Sequence, residues 1–317
     1  MALDRHLPVI DVSLGVEACA PGIDAACRET GFFFVVGHDV PLELQGCLDS
    51  LAREFFALDD STKAEIEMTR GGRAWRGWFP VGGELTSGQP DMKEGLYFGQ
   101  ELPAGDRPLH GPNLFPRHPA GLRAAVLEYI DAVTQLGHTL LRGISLALGL
   151  EPHWFDRNLT ADPLVLFRIF HYPALANDDE RWSVGEHTDY GLITILAQDA
   201  SGGLAVRGPN GWIDVPPLPN AFVVNLGDML ERMTGGRYKS TPHRVRNTTA
   251  DRLSFPLFLD PAWDAEVLPV PHLAANTESN ASERWDGASV HEWSGTYGDY
   301  LLTKVGRVFP ELRDEVL

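Results

Sequence analysis

From Pro163 onward the chain breaks into short runs of β-branched and aromatic residues separated by turn chemistry, a pattern few folds accept. The runs span 164–172, 192–197, 204–207, 212–215, 222–226, 243–246 and 254–259, and Gly208-Pro-Asn-Gly211 has the composition of a hairpin turn between two of them. Such runs are too short for helices. Strands of this length at this spacing predict a β-sandwich or a jelly roll.

The half before Pro163 reads differently. Short strands are expected at 7–11, 31–37 and 93–99, with a helical segment over 23–29. Pro41 can open a helix whose apolar positions are Leu44, Cys47 or Leu48, Leu51 and Phe55. Residues 119–150 repeat one apolar face for many turns, through Leu122, Val126, Ile130, Val133, Leu140, Ile144 and Leu148. The glycine- and proline-rich stretch 70–90 reads as a loop that carries Trp75 and Trp78, and residues 298–309 read as a closing helix. The expected class is therefore mainly β with α: an N-terminal helical and strand region over 1–150, a jelly-roll core over 163–265, and a tail with a helix over 266–317. Without an internal repeat or a linker, these form a single catalytic unit of 317 residues.

Composition narrows the partners. A net charge of −18 disfavours nucleic acid, whose phosphates call for clustered Lys and Arg. The 3 cysteines make no CxxC pair, which suggests free thiols in a reducing compartment. The start Met-Ala-Leu-Asp-Arg-His lacks the apolar run of a signal peptide, and no stretch approaches the roughly 20 apolar residues of a membrane span. The expectation is a cytoplasmic globular protein acting on a small molecule.

The chemistry is carried by His187-Thr-Asp189, His243 and Arg252-Leu-Ser254. Alternation along a strand sets residues i and i+2 on one face, so His187 and Asp189 at a strand end can reach one ion, with Thr188 turned away. Two imidazoles and a carboxylate that leave positions open suit non-haem Fe(II), and zinc would also accept them. With 11 histidines in the chain, an isolated His-x-Asp is weak evidence and ordinarily marks a solvated turn. Arg252 and Ser254 form a second i, i+2 pair, a guanidinium and a hydroxyl able to grip a carboxylate; without His243 nearby they would read as ordinary sheet residues.

Longer stretches change the weighting. Leu7-Pro-Val-Ile-Asp11, Gly31-Phe-Phe-Phe-Val-Val-Gly-His-Asp-Val-Pro41, Asp91-Met-Lys-Glu-Gly95, Gly185-Glu-His-Thr-Asp-Tyr-Gly191 and the run from Asn225 to Val245 together resemble the isopenicillin-N-synthase-like branch of the Fe(II)/2-oxoglutarate-dependent dioxygenases. The likeness spans nearly the whole chain. It implies a double-stranded β-helix core, Fe(II) on His187, Asp189 and His243, and 2-oxoglutarate held by Arg252 and Ser254 with Tyr172 reaching the same cosubstrate. With O2, such an enzyme oxidises a small molecule by hydroxylation or desaturation and releases succinate and CO2.

Substrate residues are less defined. Arg168 and Phe170 alternate with Tyr172, so all three can face the interior. Many plant relatives carry Asn where this chain has Phe170, which puts any inherited polar contact there in doubt. A buried Arg168 needs a carboxylate partner: cosubstrate, substrate, or a structural Asp or Glu. Trp75 and Trp78 are expected as pocket walls or a lid, with ordinary packing an equal alternative. Two rivals of function stand. One is an isopenicillin-N-synthase-like or ethylene-forming oxidase of the same fold, although the first of these is disfavoured because no Gln follows Gln198. The other is a non-catalytic metal- or ligand-binding sensor.

Overall fold

Two-residue periodicity builds the larger of two sheets, and one long helix covers its outer face. The computed structural model describes residues 6–174, 182–247, 249–276, 278–284, 287–310 and 313. Its strands are β1 (Val9–Asp11), β2 (Phe32–Val36), β3 (Gly77–Phe79), β4 (Glu94–Gly99), β5 (Leu164–Tyr172) and β6 (Trp182–His187), then β7 (Ile193–Gln198), β8 (Leu204–Gly208), β9 (Gly211–Asp214), β10 (Phe222–Leu226), β11 (His243–Arg246) and β12 (Arg252–Asp260). The eight-stranded sheet runs in the order β1-β2-β10-β7-β12-β5-β4-β3, and the four-stranded sheet β6-β11-β8-β9 forms the second layer. Such a pair of sheets is the double-stranded β-helix.

The helix Leu122–Ala147 lies on the outside of β5, β7 and β12, with the helices Val16–Glu29 and Leu42–Phe56 against it. Its apolar stripe is the one expected from the sequence. In Leu42–Phe56, Leu48 takes the buried position and Cys47 is exposed. The largest cluster of buried apolar side chains draws on all three stretches of the chain, from Ile10 through the sheet to Phe309.

Several elements differ from the sequence expectation. The first helix starts at Val16 rather than near Ile23, since Pro21 and Gly22 mask its early turns. The stretch 70–90 is not all loop: Met68–Ala74 is 3-10 helical, and Gly77–Phe79 pairs with β4 through Gly77↔Tyr97 and Phe79↔Gly95. Glycine composition hid that strand, although a glycine is what it needs. Gly77 has φ +122, and a Cβ there would lie 2.2 Å from the Ile66 carbonyl oxygen. A strand end was expected at His187 and Asp189, but not that β6 would run back to Trp182 and stop at His187, and the short helix Asp228–Met233 was not expected. In the expected tail region, residues 277, 285–286, 311–312 and 314–317 lie outside the described residues.

Candidate metal and cosubstrate site

Register decides which side chains meet. Along the large sheet the pairs Tyr97↔Arg168, Arg252↔Tyr172, Pro256↔Leu196, Phe258↔Thr194 and Asn225↔Phe32 all lie on the inward face. Every one of these residues lines a single cavity of about 1150 Å³, its open mouth included. The second sheet closes it from the other side, where β11 places His243 directly opposite His187 of β6.

Ligand-capable atoms of His187, Asp189 and His243 lie within 4.8 Å of one another, a spacing that could hold one metal ion. The two imidazole centroids are 4.2 Å apart, and His243 Nε2 is 3.8 Å from Asp189 Oδ1. Each ring is oriented through its other nitrogen: His187 Nδ1 sits 2.8 Å from the Gly185 carbonyl oxygen and His243 Nδ1 3.3 Å from that of Thr241. Nδ1–H donating to these carbonyls leaves each Nε2 lone pair facing its neighbours. Asp189 is held by the far oxygen, where Oδ2 accepts from Thr194 Oγ1 and from Asn225 Nδ2.

Electrostatics prepare the same atoms. Burial, the neighbouring His243 and Lys93 push the His187 imidazole down to about 3, against the pull of Asp189, so it stays neutral as a metal ligand must. Burial alone would raise the Asp189 carboxyl. The two histidines and the hydrogen bonds from Asn225 and Thr194 outweigh it and hold the group below its ordinary value.

Asp189 lies just beyond β6, so a turn rather than strand alternation positions it. That turn is clasped by the start of the helix Asp228–Met233: Asp228 N donates to the Asp189 carbonyl at 2.8 Å, and Met229 N donates to Gly191 at 3.1 Å. The approach requires a glycine. A Cβ on Gly227 would lie 2.4 Å from the Gly191 carbonyl oxygen. Gly227→Ala is expected to destabilise the fold by about 1–3 kcal/mol, read as a lower urea midpoint. An unchanged midpoint would show that the clasp yields freely.

Deeper in the cavity, Arg252 is 1% exposed. Its Nε donates to the Gly202 carbonyl at 2.7 Å, its guanidinium lies 4.5 Å from the Tyr172 ring centroid, and its buried Nη1 has no partner among the described residues. The Ser254 hydroxyl is 3.4 Å from that of Tyr172. An orphaned guanidinium nitrogen beside two hydroxyls is a fitting cradle for a carboxylate, since a buried donor left unpaired is costly.

Of the expected substrate residues, Arg168, Phe170 and Trp75 line the cavity. Trp78 does not. On β3 it pairs with Leu96 and faces the other side, where its indole N–H donates to Glu94 Oε2 at 2.8 Å beneath Lys63. The sequence reading also missed Thr194, Asn225, Glu84, Lys93 and Tyr97 as cavity residues. It likewise missed Leu301, Val305, Val308 and Phe309, by which the C-terminal helix Tyr297–Val308 and the residue after it close one wall. Asn225 and Thr194 were in principle legible, as lone polar residues at inward positions of apolar strands. Glu84 was not, since nothing local distinguishes it.

Comparison with known proteins agrees with this geometry. The 2OG-Fe(II) oxygenase superfamily matches residues 163–261, and the non-haem dioxygenase in morphine synthesis N-terminal family matches residues 7–118. A probable iron/ascorbate oxidoreductase of Dictyostelium discoideum is 43% identical over 99% of this chain and 97% of its own. A 1-aminocyclopropane-1-carboxylate oxidase of Dictyostelium mucoroides is 35% identical over 97% and 96%. The crystal structure of a full-length Neurospora crassa protein in complex with alpha-KG aligns at a TM-score of 0.78 with 27% identity, covering 96% of this chain and 98% of that one. With both of its halves matched and its cavity furnished in this way, the chain belongs to the isopenicillin-N-synthase-like branch of the 2OG-Fe(II) oxygenase superfamily, enzymes that use Fe(II), 2-oxoglutarate and O2 to oxidise small molecules.

Proposed function

We propose that His187, Asp189 and His243 hold Fe(II), and that Arg252, Ser254 and Tyr172 hold the distal carboxylate of 2-oxoglutarate. A small organic substrate then lies against Arg168, Phe170 and Trp75, the whole chain acting as one catalytic unit. The observation that carries this reading is the shared cavity. The three ligand atoms within 4.8 Å and the unpartnered Nη1 of Arg252 open onto the same space. When bound, iron supplies the O2 activation that couples loss of CO2 from 2-oxoglutarate to oxidation of a substrate C–H bond. The protein's part is to present two neutral imidazoles and one carboxylate, to orient the cosubstrate through Arg252, and to exclude water with Phe170, Trp75 and Phe309.

The proposal also includes a cytoplasmic setting. Cys19, Cys27 and Cys47 are free thiols, and no helix among the described residues is long and apolar enough to cross a membrane. A second reading gives Arg252 and Ser254 to the substrate's own carboxylate in an oxidase that does not consume 2-oxoglutarate. The likeness to 1-aminocyclopropane-1-carboxylate oxidase favours it, and the lack of any Gln after Gln198 separates it from isopenicillin N synthase.

One experiment separates the two. Anaerobic Fe(II) is added to the purified protein, followed by 2-oxoglutarate, and the visible metal-to-ligand charge-transfer band is recorded before O2 is admitted. The band and stoichiometric succinate are expected. Iron binding without either would overturn the cosubstrate assignment and leave the oxidase reading.

A further inference from the structure

Three buried cations among the described residues have a carboxylate partner. Lys63 pairs with Glu94 at 2.9 Å, Lys93 with Asp91 and Glu84, and Arg284 with Asp228 at 2.7 Å. Arg168, like Arg252, departs from this inside the cavity. It is 7% exposed and lines the space, yet it forms no ion pair with a described carboxylate. Its Nη1 donates to the Phe98 and Phe167 carbonyls, each at 3.2 Å, and its guanidinium lies 3.5 Å from the Tyr97 ring centroid. A second guanidinium stands behind it. Arg76 is 1% exposed, spends Nη2 on the Leu109 carbonyl and leaves Nε and Nη1 without a partner among the described residues.

Nearby acids do not neutralise this pair. Glu84 accepts from the Tyr97 hydroxyl and faces Lys93 at 3.0 Å, so it is already committed. Asp91 is committed to Lys93 and Thr86. Asp260 accepts from Tyr297; burial pushes its carboxyl up to about 7 against the pull of Arg168, and it forms no ion pair with Arg168 among the described residues. Burial and the neighbouring Arg168 push Arg76 down to about 9, against the pull of Glu101, which is itself bound to Asn113 and Arg123. A buried cation without a counter-charge persists where function requires it, because leaving it unpaired destabilises the fold.

We propose that Arg168 is the anchor for a carboxylate on the primary substrate, which makes the substrate class a small organic acid with an apolar body. This inference rests on the reading that Arg252, not Arg168, holds 2-oxoglutarate. The apolar body packs on Trp75, Tyr97, Phe170 and Phe309. Phe309 lies 5.9 Å from Trp75 and 5.5 Å from Tyr97, and Phe170 lies 6.2 Å from Tyr97 (ring centroids), an aromatic wall beside the cation. Arg168 is a specificity residue in this scheme. It pulls the acid end to the β4–β5 wall and leaves the rest of the molecule to reach the metal.

The test uses the anaerobic Fe(II)·2-oxoglutarate holoenzyme with phenylacetate and phenylacetamide as matched probes, at saturating 2-oxoglutarate. Binding is read from perturbation of the charge-transfer band and from the thermal midpoint. Wild type is expected to bind the acid about tenfold or more tightly than the amide. Arg168→Gln is expected to erase that gap while keeping the band, and Arg168→Lys to keep part of the gap. Equal binding of acid and amide, no binding of the acid, or an acid preference that survives Arg168→Gln overturns the proposal. Loss of the band in Arg168→Gln alone reassigns Arg168 to the cosubstrate and overturns it too. Absence of the band in wild type sinks the cosubstrate reading instead. Should Arg168→Gln melt below the working temperature, Arg168→Lys and Arg168→Met decide. Arg168→Met is expected to raise the midpoint of the substrate-free protein, and a fall would mark Arg168 as a structural brace for β4.

Discussion

Asp189→Ala is expected to lower turnover by at least about a thousandfold, beyond the roughly 10–100-fold cost of losing a group that only supports a metal ligand. The carboxylate does two things at once. Its Oδ1 faces His243 Nε2 at 3.8 Å, and its Oδ2 takes the hydrogen bonds of Thr194 and Asn225. Removing it deprives the metal site of its negative ligand and leaves two buried donors unpaired, a further cost of about 1–3 kcal/mol in stability. Asn225→Ala is the graded control: the ligand remains, its orientation loosens, and turnover falls within the smaller range. Succinate release, bound iron and the thermal midpoint should be measured together. An Asp189→Ala protein that kept a tenth of wild-type turnover would refute the ligand assignment.

Arg252→Met is expected to raise half-saturation by 2-oxoglutarate about a hundredfold, the scale of truncating one partner of a buried, hydrogen-bonded charge pair. Ser254→Ala should cost roughly tenfold to a hundredfold, as one hydrogen bond to a charged group. The cosubstrate-free protein should behave in the opposite sense. Arg252 Nη1 has no partner, so an apolar side chain of similar length is expected to leave the melting midpoint unchanged or higher. The reverse pattern, a lower midpoint with unchanged saturation, would make Arg252 a brace between Gly202 and the Tyr172 ring.

Much of this site could be read from sequence because alternation is a local rule. Arg168, Phe170 and Tyr172 share a face, as do Arg252 and Ser254, whatever the rest of the chain does. No such rule applied to Trp75 and Trp78, which look equivalent in a glycine-rich stretch read as loop, with pocket wall and ordinary packing both open. Pairing with β4 turns Trp78 toward Glu94, the packing alternative. Asp189 comes near the two histidines for a reason the sequence did not contain. It sits past the strand, and the turn that carries it is held by the distant Gly227 and Asp228.

Taken alone, the sequence pointed to most element types, to which residues of a strand share a face, and to a candidate donor set of two imidazoles, a carboxylate, a guanidinium and a hydroxyl. Backbone period and side-chain chemistry are properties of neighbouring residues, so they survive without a fold. Tertiary structure decided what those donors meet. It set His243 across from His187, brought Asn225 and Thr194 to Asp189, and closed the cavity with Val305 and Phe309 from the end of the chain. It also buried Arg168 with no ion pair to a described carboxylate. Partnering depends on which strands lie side by side, and that order, β10-β7-β12-β5-β4, is set by packing the whole sheet rather than by any segment of it.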